Sequence, residues 1–390
     1  MILRRDPPLH LTYCLNVHPG ESWDANLRAI RTHALRVRDL VGAPGPFGLG
    51  LRLSRAAVEE LHGPAHTEQF RAFLAEHDLY VFTVNGFPYG AFHGAAVKQR
   101  VYAPDWGAPE RLEYTTLLAE TMAALLPEGV PGSISTVPGS YGAWARGAEE
   151  ADRIVRNLAE CARRLRRIEA QTGRRVMLAL EPEPDCLFET TAGTVAFFNG
   201  TLARHPAMRE QGEAWRRHVG VCLDACHLSV QFEDPAASLL ELTRGGIAVP
   251  KVHVSAALRA GTGAETARAL RPFAEGVYLH QTRLRGADGT VRRWTDLTAE
   301  ALDAVAREQD GEARVHVHVP LYFREAGALR STSDDLSAGF FDAVRDAAVP
   351  HLEIETYTFN VLPPPLGGRP VEESIAGEYR WVLERARAAK

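Results

Sequence analysis

Two short apolar runs, each closing on a carboxylate, constrain this chain more than any other feature. Val176, Met177, Leu178, Ala179 and Leu180 lead into Glu181; Val219 to Leu223 lead into Asp224, with His227 three residues later. A run of five apolar residues with no polar alternation fits a strand buried on both faces, the kind found in parallel α/β sheets. In a closed barrel of such strands, polar groups at the carboxyl ends face a common mouth, where the chemistry of these folds is placed. The two runs therefore predict a (β/α)₈ TIM barrel with Glu181 and Asp224 at its mouth.

The rest of the chain keeps that rhythm of short apolar strands and longer helical patterns. Leu9 to Asn16 is predicted as strand one, followed by a helix over Glu21 to Val41, and Gly48 to Ser54 as strand two. Leu79 to Asn85 is strand three and Ser133 to Val137 strand four. Between them, Gly86 to Asp105 is rich in Gly, Pro and aromatics. Loops of that length in a compact domain are functional or disordered, and aromatic content argues against disorder. Phe87, Tyr89, Phe92 and Trp106 form a lid or, by default, pack as core beneath the loop. Long helices are expected over Pro109 to Leu126 and Ala148 to Thr172.

After strands five and six, Val249 to Ser255 makes strand seven and Leu352 to Tyr357 strand eight, with a closing helix from Val371 to Ala389. In strand seven Val252 and Val254 oppose Lys251, His253 and Ser255; in strand eight Leu352 and Ile354 oppose Glu353, Glu355 and Tyr357. One parity faces the helices and the other faces inward. The segment from 314 to 320 is a ninth strand candidate where eight close a barrel. The preferred count treats 256 to 345 as a long insertion between strands seven and eight; the competing count makes 314 to 320 a barrel strand. Without a repeat, a low-complexity tract or a linker, residues 1 to 390 are taken as one domain.

Composition narrows the function. With 44 Lys plus Arg against 49 acidic residues and a net charge of −5, nothing calls for nucleic acid, whose phosphates require a basic surface. No segment approaches the ~18 apolar residues of a membrane span, and the start lacks a secretory apolar core, so a cytoplasmic protein is expected. Five cysteines do not suggest a disulfide framework, Cys222 and Cys226 lack a second pair for a structural zinc, and Cys14 has no identifiable base. The Gly48 to Gly50 segment lacks the dinucleotide fingerprint.

A divalent cation at a barrel mouth needs oxygen and nitrogen ligands converging from different strands. Glu181, Asp224, His253 and Glu355 each lie at or near a strand's carboxyl end and are the candidate ligands for Mn²⁺, Co²⁺, Mg²⁺ or Zn²⁺. His316 and His318 point the same way along their strand and offer an alternative nitrogen ligand, or are hydrogen-bonded within the insertion. Glu183 and Glu353 read as loop salt bridges. Asn16, His18, Asn85 and His318 are candidate substrate hydrogen-bonders, and His227 a substrate contact. Glu181 and Glu355 are the candidate acid–base pair.

At these residues the chain resembles the xylose isomerase-like barrels, a superfamily of sugar isomerases and epimerases. The resemblance assigns Glu181 to strand five, Asp224 and His227 to strand six, His253 to strand seven and Glu355 to strand eight; the long interval from His253 to Glu355 exceeds the family pattern. Further motifs, Tyr13 to Trp23, Phe47 to Ser54, Thr83 to Gly90, Tyr102 to Trp106, His316 to Pro320 and Glu355 to Phe359, resemble the bacterial EboE family of metabolite traffic proteins. That resemblance implies a metal-dependent barrel acting on a small polyhydroxylated metabolite, a carbohydrate or cyclitol, and a membrane-protein partner. It also turns attention to His316 or His318 as the nitrogen ligand, because that family often carries Gln at the position of His253. Non-catalytic metabolite handover and metal-dependent hydrolysis are the alternatives.

Overall fold

A computed structural model describes residues 1–42, 44–93, 97–145, 147–364 and 366–388. The chain opens with a hairpin, β1 (Ile2–Arg5) and β2 (Pro8–Tyr13), and β2 is the first of eight parallel strands. The others are β3 (Phe47–Arg52), β4 (Leu79–Asn85), β5 (Gly132–Thr136), β6 (Val176–Leu180), β7 (Val219–Asp224) and β8 (Lys251–Val254). The insertion then carries β9 (Ala257–Ala260), β10 (Thr282–Arg285), β11 (Val291–Trp294), β12 (Glu312–His318), β13 (Glu325–Ala326) and β14 (Leu329–Ser331). The eighth parallel strand is β15 (His351–Ile354).

The parallel strands run in the order β2-β15-β8-β7-β6-β5-β4-β3. A parallel bridge between Cys14 and Gly50 brings the two ends of that order together and closes the barrel. The antiparallel β1 pairs with β2 on the side where β3 would otherwise sit. It is four residues long and half of it is arginine, so it is too short to register as an apolar run in the sequence.

The insertion folds as a separate six-stranded antiparallel sheet, β11-β10-β12-β9-β14-β13. Residues 314 to 318 thus pair antiparallel with β9 and β10, and the count that made them a barrel strand is overturned. Alternation in Val315, His316, Val317 and His318 reads the same in a parallel or an antiparallel setting, so parity alone could not decide.

Helices cover the barrel where periodicity predicts them. Ala148–Thr172 buries Ile154, Leu158, Cys161, Leu165 and Ile168 along one stripe, and Pro109–Leu125 packs beside it with Leu112, Leu118 and Met122 buried. Inside the barrel much of the inward parity is polar or small: His10, Thr12, Ser133, Ser135, Ala179, Cys222, Lys251 and Glu353 are all buried.

The last helix, Val371–Ala388, is tied to the barrel by Glu378. Its Oε1 accepts hydrogen bonds from the Leu321 amide (3.1 Å) and the Thr356 hydroxyl (2.7 Å). Burial pushes this carboxyl from an ordinary 4.5 up to about 8. The folded protein therefore holds a proton that the unfolded chain has already released, and the contribution present at low pH is lost as pH rises through that window. Glu378→Gln is expected to abolish a fall in stability on the order of 3–5 kcal/mol between pH 4.5 and 8. Denaturant unfolding of both proteins at several pH values checks this; parallel pH profiles would contradict it.

Candidate functional site

Glu181, Asp224, His253 and Glu355 converge from β6, β7, β8 and β15. One ligand atom from each lies within 4.8 Å of every other. The His253 ring is the hub: its Nδ1 stands 3.0 Å from Glu181 Oε1, 3.1 Å from Glu355 Oε2 and 3.3 Å from Asp224 Oδ2. All four residues are buried.

Local structure explains the positions. Asp224 ends β7 and caps the helix Ala225–Val230, its Oδ1 accepting from the His227 amide at 2.9 Å, so one carboxylate serves as helix cap and site group together. Ser255 donates to the same Oδ1 at 2.9 Å. Glu355 Oε1 accepts from the amide nitrogens of Asn16 and Asn85, both at 2.9 Å. Glu181 Oε2 and Asp224 Oδ2 find no hydrogen-bond partner among the described residues.

On the far side of the ring, His253 Nε2 donates to Glu353 Oε2 at 2.9 Å, and Lys251 Nζ reaches the same oxygen at 2.6 Å. A carboxylate can only accept here, so Nε2 carries the hydrogen and Nδ1 turns toward the three oxygens. Burial opposes charge on His253, but Cys222, Glu355 and Glu181 outweigh it and hold its pKa well above the usual range. Glu353 is likewise pushed up by burial but pulled further down by Lys251 and His253. Asp224 is pushed up by burial yet held well below the ordinary carboxylate range by His227, His253 and His318.

The room for Glu353 comes from Gly50 on β3. A Cβ there would lie 1.9 Å from Glu353 Oε1 and 2.8 Å from the Tyr13 carbonyl.

Above the carboxylates lies a pocket lined by Glu181, Glu183, Glu355, His227, Asn16 and Asn85 among others. His316 and His318 from β12 form its wall, and Phe92, Tyr278 and Tyr357 are part of its aromatic lining. Of the loop aromatics, Phe87 and Phe92 line the pocket, whereas Trp106 is fully buried and Tyr89 packs edge-on against Tyr114. The loop is pinned to the insertion, for the Val97 and Lys98 amides both donate to the Val277 carbonyl and Lys98 Nζ pairs with Asp296 at 2.7 Å.

Glu183, read from sequence as a loop salt bridge, lines this pocket instead. Its Oε1 accepts from the Tyr102 hydroxyl (2.6 Å) and Gln281 (3.2 Å). Burial pushes its carboxyl up to about 7. Glu353 and Lys251 were also legible only as inward parity. Gln281 carried no sequence signal, and Tyr102 appeared only as the start of the Tyr102 to Trp106 motif.

His18 is not brought to the pocket. Its Nε2 meets the Tyr13 hydroxyl at 3.0 Å and its ring stacks on His33 at 4.3 Å, while burial lowers its pKa to about 3. The cause is the 3₁₀ turn Leu15–Val17 after β2, which rotates residues 16 and 18 onto different faces.

Solved structures with similar architecture can now be set beside this geometry. The chain is similar to the probable 3-DHS dehydratase AsbF, involved in petrobactin synthesis, from Bacillus anthracis (TM-score 0.50, 15% identity, 96% of this chain and 98% of that one). It is similar to a xylose isomerase domain protein from Planctomyces limnophilus (0.50, 13%, 91% and 93%). It is also similar to the IolI protein, whose crystal structure has a bound zinc atom (0.50, 13%, 98% and 99%). The fold is that of the xylose isomerase-like TIM barrels. No family model and no curated protein sequence matches the chain.

The residues present fit a divalent cation. Three carboxylates and one oriented imidazole are a donor set for Mn²⁺, Co²⁺, Mg²⁺ or Zn²⁺, and two of the carboxylate oxygens stand buried without a donor. Gly50→Ala should displace Glu353 and destabilise the fold by at least the ~1–3 kcal/mol of an overpacked core, measured by denaturant unfolding. Glu353→Gln should weaken divalent-cation affinity ~10–100-fold, read by competition with a chromogenic chelator. Unchanged affinity would mean that Glu353 does not orient the ring for ligation.

Proposed function

We propose that the protein is a metal-dependent isomerase or epimerase of a small polyhydroxylated metabolite, a carbohydrate or cyclitol. The observation that carries this reading is the meeting of Glu181, Asp224 and Glu355 oxygens around a single ring nitrogen of His253, at the floor of a pocket lined with further polar groups. A divalent cation held by these four residues would polarise a substrate carbonyl and make the neighbouring C–H more acidic.

The protein's own groups do the rest. Glu181 and Glu355 exchange a proton with the substrate carbon, one as base and the other as acid. Asn16 and Asn85 hold Glu355 in place through its Oε1, and the Asn16 side-chain oxygen Oδ1, which has no hydrogen-bond partner among the described residues, accepts from a substrate hydroxyl. His227 and His318 orient further hydroxyls. Phe87, Phe92 and Tyr357 give the pocket apolar walls that exclude water from the reacting carbon.

The motifs resembling the EboE family support placing this reaction in metabolite traffic in the cytoplasm, with a membrane protein as partner. Among the described residues no helix is long and apolar enough to cross a membrane.

The test is solvent exchange. Metal-supplemented protein is incubated in D₂O with a panel of aldoses, ketoses and cyclitols and followed by NMR. Deuterium should enter one C–H position of the true substrate, with rates lower by ~10²–10⁴ in Glu181→Gln and Glu355→Gln. Ligand binding without any exchange would replace the reading with non-catalytic handover.

A further inference from the structure

We infer that Glu183 is the specificity-determining residue of the pocket, and that it selects a substrate bearing a protonated amine, an amino-substituted sugar or cyclitol rather than a phosphorylated one. The choice of a polyol rests on the isomerase reading; the placement of Glu183 does not.

Glu183 stands two residues past Glu181 but outside the set that converges on His253. Its two donors both fall on Oε1, the Tyr102 hydroxyl at 2.6 Å and Gln281 Nε2 at 3.2 Å. The directions of these bonds are fixed by their neighbours. Gln281 Oε1 meets His316 Nδ1 at 2.7 Å, while Gln281 Nε2 faces the Pro184 carbonyl (3.1 Å) and the Tyr102 hydroxyl (2.9 Å). A carbonyl only accepts, so the amide nitrogen lies on that side. The Tyr102 hydroxyl accepts from it and keeps its single hydrogen for Glu183. One oxygen of Glu183 is thus clamped, and Oε2 is left to meet whatever fills the pocket that Glu183 lines.

What this carboxylate lacks is a cation from the protein. Burying an acid without one is costly, and two neighbouring acids have theirs: Lys251 for Glu353 at 2.6 Å and Arg283 for Asp185 at 2.7 Å. His316 Nδ1 lies 3.7 Å from Glu183 Oε1, but its hydrogen goes to Gln281. Among the described lining residues Lys98 alone is Lys or Arg, and its ammonium is held by Asp296 at 2.7 Å and the Glu275 carbonyl at 2.9 Å.

The charge of the site points the same way. A dication at the His253 set leaves the three carboxylates there one charge in excess, and Glu183 adds another. The His227 and His316 Nε2 atoms, 3.1 Å apart and on rings that already donate from Nδ1, share one hydrogen, which offsets a single charge. The pocket stays acidic: a phosphate finds no free cation there, and an ammonium finds a carboxylate. Phe92, Tyr278 and Tyr357 also line it, their ring centroids 5.1–5.3 Å from one another, and aromatic faces attract an ammonium group.

The test is calorimetric titration of the full chain at neutral pH with matched compounds: glucosamine against glucose and its phosphate monoester, and an inosamine against inositol and its phosphate monoester. In at least one set the amine should bind about 10-fold or more tighter than the hydroxyl compound, and the phosphate more weakly than either. Glu183→Gln, which keeps the shape and removes the charge, should bring the amine down to the affinity of the hydroxyl compound. Glu183→Asp, which keeps the charge, should retain the preference, with circular dichroism confirming that both variants fold. A merely structural role for Glu183 would weaken all compounds alike. Equal affinity for amine and hydroxyl compounds in wild type, binding of neither, or an amine preference that survives in Glu183→Gln overturns the assignment. The isomerase reading fails separately: an amine preference with no deuterium entering any C–H position upholds the role of Glu183 and overturns isomerisation.

Discussion

Holding carboxylates away from water is the constraint on which the upper half of this barrel depends. Glu181, Glu183, Asp224, Glu353 and Glu355 are all buried within one small region. Desolvating that many acids is unfavourable unless each meets a hydrogen-bond donor or a positive group. Lys251 and the His253 Nε2 hydrogen satisfy one oxygen of Glu353, the amides of Asn16 and Asn85 satisfy one oxygen of Glu355, and Tyr102 and Gln281 satisfy one oxygen of Glu183. Among the described residues, Glu181 Oε2, Asp224 Oδ2 and Glu353 Oε1 are left without a donor. Two of these three oxygens belong to the set that converges on His253.

Two parts of the chain share the mouth. The barrel strands deliver the carboxylates and His253 from their carboxyl ends, on rigid hydrogen-bonded backbone. The insertion delivers His316 and His318 from a second sheet, and its 273–281 segment reaches over the pocket through Tyr278 and Gln281. The long loop after β4 docks on that segment rather than on the barrel alone, through the paired amides of Val97 and Lys98. Arg283, fully buried, fastens β10 to the loop after β6 through Asp185 at 2.7 Å and Glu189 at 3.2 Å.

Much of this was legible in the sequence because it follows from strand geometry. Glu181 and Asp224 end apolar runs, and His253 and Glu355 share a parity with polar neighbours, so their convergence needs only a barrel of eight parallel strands. The eightfold count itself followed once the 256 to 345 interval was treated as an insertion. The residues that escaped are those whose meaning lies in a partner distant in sequence. Glu353 looked like a loop acid because nothing local says that Lys251 lies beside it, and Glu183 because its partners Tyr102 and Gln281 lie about 80 and 100 positions away. His18 was misplaced for a local reason: extending the strand's two-residue alternation past Tyr13 ignores the 3₁₀ turn, where the period is three. Alternation in β12 was real, but it carries no direction, so the competing barrel count could not be dismissed from sequence.

The six-stranded sheet of the insertion has a consequence for how such a protein diversifies. Of its residues at the pocket, Tyr278 and Leu279 hang from a loop of a structure that shares no strand with the barrel. Exchanging them alters the size and polarity of the chamber without moving the strand ends that bear Glu181, Asp224 and Glu355. Such a plan puts the buried carboxylates and part of the pocket wall on separately variable modules, so that drift in the insertion reshapes the chamber before it disturbs the strand ends.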